Sequence, residues 1–410
     1  MTARLYYNKP ELGEFQSVVD EVIEPASGET RSGVVLRDTA FYPTSGGQVH
    51  DTGWLITGLN DRLRVVEVTE TEDGKVVHYL DPATRPPVAG ATVFGNIDSE
   101  RRRDHMQQHS GQHVLSAALI ELYQMPTVSF HMGDDYSSID LAAPTITPEQ
   151  VVGAEKRANE IIFENRPVHI RYVTRAEAES LGLRKLPPAD RDELRLIEIQ
   201  DFDLSACGGT HVAATGKIGS ILLRKIEKVR QGVRIEFVCG DRAVRIARRD
   251  FTALTEASAL FSTQLWDVPA QIRKGFEDQK QLRRQRDDAL EQLADAMAAD
   301  AVKSQPESGG RRIIVRTFPD RDTAFAKLFA QRVTRMGVPA VALVGSTVDP
   351  PGIVFAQSTG GTADMGALMK QVLSAAGGRG GGSRDFAQGG VPAGSSVEQI
   401  LKQAATTIGN

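Results

Sequence analysis

The sequence predicts a multidomain α+β protein with an N-terminal β-barrel, a mixed α/β domain, a helical linker and a C-terminal α/β domain. Three observations predict it. At 410 residues the chain exceeds what one ordinary core organises, which points to roughly two to four domains. The first stretch, roughly ninety residues, carries short alternating apolar runs between turn residues, the pattern of strands. The period then turns helical, and roughly the last hundred residues alternate strand and helix behind a Gly/Ser/Pro-rich linker.

In chain order, Ser17-Val18-Val19-Asp20-Glu21-Val22-Ile23 and Arg64-Val65-Val66-Glu67-Val68 are the clearest early strands, and a small barrel or sandwich fits them. Asp98 or Ser99 caps a helix running to about Tyr123, with Met106, His113, Ala117 and Ile120 on or near one stripe. A second helix is expected over 148–165, then strands near 169–173 and 196–199, and a β-hairpin over 218–238 turning at Gln231-Gly232. Residues 242–302 are helix-rich, with Asp267 and Pro269 as N-cap and first turn of the second half. Its apolar positions Ile272, Phe276, Leu282, Ala289, Leu293 and Met297 do not hold a heptad, because Gln279 and Arg286 interrupt it. The segment reads as a helical arm or hairpin suited to pairing two copies. Residues 304–310 form a linker, and strands over 312–317, 340–344 and 352–355 alternate with helices beyond it. No tandem repeat is visible.

Composition narrows the class. With 40% hydrophobic and 25% charged residues the chain is an ordinary globular protein, and no apolar run approaches the roughly 18–20 residues of a membrane span. The N-terminal residues lack a secretory pattern and the only cysteines are Cys207 and Cys239, which places the protein in a reducing cytoplasm. A net charge of −5 argues mildly against a nucleic-acid partner at the level of the whole chain. Any RNA contact must come from local patches: Arg101, Arg102 and Arg103; Arg224 to Arg234 with Lys225, Lys228 and Arg230; and Arg283, Arg284 and Arg286. The ordinary reading of each is a solvated face.

The sharpest chemical feature is His109-Ser110-Gly111-Gln112-His113, two histidines four apart on a helix, which puts both imidazoles on one face as a shared metal requires. His105 stands at the same spacing from His109, so spacing alone does not say which two ligate. The second half is Cys207-Gly208-Gly209-Thr210-His211, a thiol and an imidazole around a Gly-Gly turn. Cys239, on a strand, reads as a buried small hydrophobe. One cysteine and three histidines favour zinc over iron or copper. Four protein ligands ordinarily make a closed structural site, whereas hydrolytic zinc keeps an open position. Either one ligand, His211 or His109, stands back from the metal, or coordination expands to five when substrate arrives.

An HxxxH helix followed some ninety residues later by CxxxH resembles the editing domain of alanyl-tRNA synthetases and their free-standing AlaX-type relatives. Thr39-Ala40-Phe41-Tyr42-Pro43-Thr44-Ser45-Gly46-Gly47-Gln48-Val49-His50-Asp51-Thr52-Gly53 is similar to the family's glycine-rich signature in the preceding barrel. Ser129-Phe130-His131-Met132-Gly133 with Ile139-Asp140-Leu141, and Gly232-Val233-Arg234-Ile235-Glu236-Phe237, resemble further family segments. The stretch from Gly377 through Gly380-Gly381-Gly382 to Gln388-Gly389-Gly390 resembles the glycine-rich loop of the DHH-associated RNA-binding domain, and glycines there suit backbone contacts to phosphate. The resemblance implies a barrel over 1–92, a zinc-dependent editing domain over 93–245, a helical linker or dimerisation arm over 246–305 and a tRNA-binding domain over 306–410. No stretch that could hold a class II aminoacylation domain is expected before the barrel, and Asp104-His105-Met106 is not the Asp-His-His phosphoesterase motif. Val114 replaces a frequent leucine, a core-type change.

The resemblance implies trans-acting hydrolysis of mischarged seryl-tRNA for alanine, with glycyl-tRNA as a second substrate, Zn2+ as cofactor, tRNA for alanine as partner and a homodimer as the form to test. Metal ligands are then His109, His113, Cys207 and His211. Gln48 is the first polar candidate to orient water or read substrate, with Ser110, Thr127 and Ser129 behind it. The rivals are a small-molecule zinc amidohydrolase or esterase, a tRNA-binding or assembly module with a structural zinc, and a threonyl-type editing domain.

Overall fold

The computed structural model describes residues 2–25, 28, 30–181, 183, 193–230 and 232–409. The fold is mixed α/β, and its contacts divide into two compact units, Met1–Glu256 and Ala257–Asn410.

In the first unit the short strands β1 (Ala3–Arg4) and β4 (Asp38–Thr39) pair in parallel beside a closed barrel. The barrel is built from β2 (Glu14–Ile23), β3 (Gly33–Leu36), β5 (Gly53–Thr57), β6 (Arg62–Glu70), β7 (Val76–Leu80) and β8 (Thr92–Ile97), in the order β2-β3-β7-β6-β5-β8. The alternating runs of the sequence thus close on themselves rather than forming a sandwich, which removes free sheet edges. Val19, Val34, Leu36, Phe41, Leu55, Val65 and Val93 belong to its core. One polar ring is buried among them: His78 bonds Thr39 Oγ1 at 2.8 Å and the Val34 carbonyl at 2.9 Å.

Helix α1 (Ser99–Tyr123) follows with Asp98 at its N-cap position. The Asp98 side chain does not cap the helix; it takes Arg64 and Thr52 instead. Arg102, in the first turns, is buried against Asp51 of the barrel, with further bonds to Pro10 O at 2.6 Å and Ala40 O at 2.5 Å. It fastens helix to barrel, and this corrects its place in the basic patch: a guanidinium so engaged does not face RNA. Arg101 likewise donates to His50 O at 3.0 Å.

α1 is buried from His105 to Leu119 although much of that run is polar. A polar helix survives burial only when its side chains find partners. Gln108 does so by exchanging bonds with the Cys239 backbone at 3.0 and 2.8 Å. At Gly111 any Cβ would overlap Cys239 Sγ, so the helix lies directly on its sheet there. That sheet runs in the order β14-β15-β10-β9, from β9 (Thr127–Met132), β10 (Ser137–Leu141), β14 (Ile221–Val229) and β15 (Gly232–Cys239). Helix α2 (Pro148–Phe163) begins in a capping box at Thr147 and Gln150. A second sheet, β11 (Val168–Thr174), β12 (Glu193–Ile199) and β13 (Asp203–Ala206), follows with the short helix α3 (Arg175–Ser180) between its first two strands. The β14–β15 hairpin matches the expected one; Gln231 of its turn lies outside the described residues. In the basic stretch it carries, Arg224 pairs with Asp250, Lys225 with Glu227 and Arg234 with Asp140.

The division between units falls within α4 (Gly240–Leu260). α5 (Val268–Ser304) has Asp267 at the N-cap position and a proline in its first turn. Trp266, just before it, and Phe276 and Leu282 on it are exposed, while Ala294 and Ala298 near its end are buried in the core of the second unit. The sheet there runs β16-β17-β18-β20-β19: β16 (Arg312–Phe318), β17 (Ala340–Ser346), β18 (Gly352–Gln357), β19 (Arg379–Gly382) and β20 (Phe386–Gly390). Only β16 and β17 are parallel. Helices α6 (Thr323–Thr334), α7 (Met365–Ala376) and α8 (Val397–Gly409) complete it. The glycine-rich stretch expected as a loop is a β-ribbon, and a Cβ at Gly380 or Gly389 would run into Leu373 of α7. Close helix-on-sheet packing therefore accounts for those glycines.

Among the described residues no helix is long and apolar enough to cross a membrane.

Candidate metal centre

Two segments far apart in sequence supply the donors. α1 sends His109 and His113 from one face a turn apart. Cys207 and His211 lie in the turn after β13. One donor atom from each of the four falls within 4.8 Å of the others. Cys207 Sγ is 3.3 Å from His109 Nε2 and 3.3 Å from His211 Nε2. The rings of His109, His113 and His211 are only 3%, 6% and 2% exposed. Cys207 is half-buried and Gly208 exposed, so the thiol edge of the cluster lies nearest the surface. His211 also stands in the wall of a cavity of about 580 Å³ bounded by residues 8–12, 168–170 and 211–213. His105 lies outside the group; it is buried, its Nδ1 has no partner among the described residues, and burial pushes its ring down to about 3.

Each clustered histidine has its far nitrogen turned to another polar group. His109 Nδ1 is 2.7 Å from Gln48 Oε1. His211 Nδ1 is 3.2 Å from Ser110 Oγ. His113 Nδ1 faces Asp203 Oδ2 at 3.6 Å, just beyond hydrogen-bond length. Metal-bound histidines characteristically offer their distal N–H to such acceptors, which fixes tautomer and ring orientation. Gln48 is fully buried and engaged at both ends: Oε1 also accepts from the Thr210 amide at 3.1 Å, and Nε2 donates to Thr210 Oγ1 at 2.9 Å. Ser110 Oγ also accepts from the Val212 amide at 3.1 Å.

The electrostatics suit a metal. Burial opposes ionisation of Cys207, yet the neighbouring side chains of His109, His211 and His113 hold the thiol well below its ordinary range. Burial alone would lower His113, but Asp203 and Cys207 raise it to about 9; burial lowers His211 to about 3. A thiolate among three imidazoles, two of them braced from behind by Gln48 and Ser110, is a donor set of the kind that takes zinc.

The turn is shaped for this. The Gly209 amide points at Cys207 Sγ from 3.4 Å. A Cβ on Gly209 would overlap the His109 ring and come within 3.0 Å of Gln48 Oε1, whereas one on Gly208 would meet only the Tyr7 hydroxyl at 3.7 Å. Of the two glycines, Gly209 is the one the site requires.

Other sequence candidates fall at varying distance from the centre. Thr127, half-buried, is 2.7 Å through its hydroxyl from Ser116, which accepts from Gln112 at 2.8 Å. Ser129 donates to Asp140 at 2.8 Å on an exposed face. Phe130, by contrast, sets its ring 5.3 Å from that of His109. Sequence reasoning missed Asp203 and Thr210; neither carries a spacing signal of its own, and each matters through a partner distant in the chain.

A barrel joined to a domain with a braced Cys/His cluster defines the class, and comparison with known families bears on each part. Residues 4–101 match the family of tRNA synthetases class II (A), residues 194–236 the threonyl and alanyl tRNA synthetase second additional domain, and residues 311–410 the DHHA1 domain. The alanine–tRNA ligase of Natronomonas pharaonis is 34% identical over 415 residues, covering 98% of this chain and 43% of that protein. The alanine–tRNA ligase of Archaeoglobus fulgidus is 31% identical over 410 residues, with 98% and 42% covered. The chain thus spans less than half the length of the curated relatives it matches. The crystal structure of the C-Ala domain from Aquifex aeolicus alanyl-tRNA synthetase is matched with a TM-score of 0.24 at 17% identity, over 26% of this chain and 99% of that one. The chain is thus related along nearly its whole length to alanine–tRNA ligases, and its three matched segments fit an AlaX-like alanyl-tRNA editing protein with a DHHA1 domain.

Proposed function

We propose that this chain, acting in trans, hydrolyses the ester joining a misattached amino acid to the 3′-terminal adenosine of tRNA for alanine. The seryl ester is the first substrate and the glycyl ester the second; alanyl-tRNA is spared. The observation that carries this reading is the convergence of His109, His113, Cys207 and His211 in a chain related along nearly its whole length to alanine–tRNA ligases.

A zinc ion held by those four side chains would supply a concentrated positive charge beside the scissile ester. The protein's own groups do the rest. Gln48 orients His109 and Ser110 orients His211, so both act as positioning residues, their hydrogen-bonding atoms already engaged within the protein. The histidine rings are themselves buried, and the Cys207–Gly208 edge is the side we assign to the acceptor end. The Gln112–Ser116–Thr127 chain of hydroxyl and amide groups is the wall we assign to the substrate's side chain, with Thr127 at its end. Such a sieve answers a real need, because an alanine pocket rejects glycine by only about 1–3 kcal/mol and cannot strongly exclude an added hydroxyl.

In the second unit the ribbon of Gly380, Gly381, Gly382, Gln388, Gly389 and Gly390 is the proposed contact with the tRNA body. β19 is an edge strand, which leaves one row of backbone groups unpaired, and Arg379 and Arg384 at its ends are exposed. The exposed Trp266, Phe276 and Leu282 support a homodimer through the arm, which sedimentation of the parent and a Phe276→Glu variant would check.

The test is ester loss from Ser-tRNA, Gly-tRNA and Ala-tRNA built on one tRNA for alanine, incubated with zinc-loaded protein beside Cys207→Ala. Loss of the seryl or glycyl ester that spares alanine and fails in the variant supports the reading. No loss above the spontaneous rate at full zinc occupancy overturns it and favours a binding module with a structural metal.

A further inference from the structure

We propose that Arg195 is a positioning residue of the metal centre. Its guanidinium gathers the Cys207 and Gly209 carbonyls of the Cys207–Thr210 turn, and this holds the backbone that carries the thiol and aims the Thr210 amide at Gln48. The inference rests on the cluster being a metal site and on nothing about the ester.

Arg195 lies on β12 and is 9% exposed. Nη1 donates to Cys207 O at 2.6 Å and to Gly209 O at 3.1 Å. Nε donates to Tyr7 O at 3.0 Å, and the guanidinium carbon sits 5.4 Å from the centre of the Tyr7 ring. Among the described residues Nη2 is buried without a hydrogen bond within normal length and no carboxylate pairs with this side chain; the Tyr172 phenol is its other polar neighbour. A buried cation balanced by carbonyl dipoles and a ring face is an expensive way to fill space, and an apolar side chain of similar volume would serve packing better.

What the fork accomplishes is directional. Carbonyls of residues two apart, Cys207 and Gly209, converge on one nitrogen, so the amide across the second peptide, that of Thr210, faces the other way. That amide is one the site uses: Thr210 N meets Gln48 Oε1 at 3.1 Å, while Gly209 N, on the intervening peptide, meets Cys207 Sγ at 3.4 Å. Gln48 then holds His109. One guanidinium therefore holds the backbone of the thiol-bearing residue and orients an imidazole through two further bonds, and its grip on Tyr7 O ties both to the segment that leads into the barrel.

The experiment compares the parent with Arg195→Met, Arg195→Lys and Tyr7→Leu. Zinc affinity is measured by competition with a chromophoric chelator, and the thiolate-to-metal charge-transfer band is recorded after cobalt substitution. Arg195→Met is expected to lose about tenfold or more in zinc affinity, the scale of supporting-residue effects on bound metals, and to shift or weaken the cobalt band. Arg195→Lys, which keeps the charge and loses the fork, is expected to recover part of the loss. Tyr7→Leu is expected to lose roughly two- to fivefold, because the guanidinium keeps its carbonyls and loses only the ring beneath it. Melting of the metal-free proteins separates this from simple destabilisation, which moves the midpoint and leaves the cobalt band alone. Zinc affinity within twofold of the parent in Arg195→Met, with an unchanged band, overturns the proposal; if that variant does not fold, the same result in Arg195→Lys does. A parent that binds no zinc overturns it together with the metal reading. A parent that binds zinc but leaves the ester intact defeats only the hydrolysis and leaves this inference standing.

Discussion

Replacing Gln48 by alanine removes three bonds at once: the acceptor for His109 Nδ1, the acceptor for the Thr210 amide and the donor to Thr210 Oγ1. Two separable losses follow. An unbraced histidine ligand typically costs a metal site 10- to 100-fold in affinity, which is about 1.4–2.8 kcal/mol. The Thr210 amide, on a fully buried residue, is left without its acceptor at a cost of about 1–3 kcal/mol whether or not metal is present. Thermal unfolding of the first unit followed with excess zinc and with chelator reads both. The metal-free curve should fall by the second amount, and the gap between the two curves should shrink by the first, since a tenfold weaker site loses about 1.4 kcal/mol of ligand-induced stabilisation at fixed zinc. Gln48→Glu keeps both acceptor roles and should retain most of the gap. If the alanine variant lowers the metal-free curve but leaves the gap unchanged, Gln48 is a packing residue and the bracing argument is wrong.

The glycines of the turn should differ sharply: Gly209→Ala, whose Cβ overlaps the His109 ring, should abolish stoichiometric zinc binding, while Gly208→Ala should bind zinc within about threefold of the parent by the same competition assay. Breaking the buried Arg102–Asp51 pair by Asp51→Ala should cost about 3–5 kcal/mol in denaturant unfolding, because it strands a guanidinium between barrel and helix. Burial depresses His78 to about 4, with the Val34 carbonyl opposing, so the folded state takes up its proton less readily than the unfolded chain at about 6.5. Its contribution is complete above pH 6.5 and is lost as the pH falls towards 4, by about 3 kcal/mol at most. The difference in unfolding free energy between parent and His78→Gln should change over that window and be flat above it; no change there would mean the ring titrates normally.

Local pattern made part of this protein legible. The i, i+4 histidines needed only a helix, and Asp98 or Ser99 marked where it starts, so His109 and His113 could be placed together before any tertiary contact was known. Alternation gave the barrel strands, while their closure, which depends on β8 pairing with both β2 and β5, is a long-range outcome that no window of residues encodes. The choice between His105 and its neighbours was likewise tertiary: both spacings are equal, and only the position of the Cys207 turn separates them. The bracing groups were hidden for a similar reason. Gln48 and Thr210, or Arg195 and Gly209, are complementary only across the fold. The glycine-rich ribbon misled because flexibility and close packing demand the same residue; the leucine of α7 that presses on it lies in another segment.

Gln48 stands on the barrel side of the chain, and the histidine it holds stands on the other. A fragment cut to keep the metal ligands and discard the barrel would retain every donor and lose a wall of the socket around them. The barrel is thus a component of the centre and not a neighbouring module, and transplanting the ligand-bearing domain into another scaffold will carry the chemistry only if this one loop travels with it.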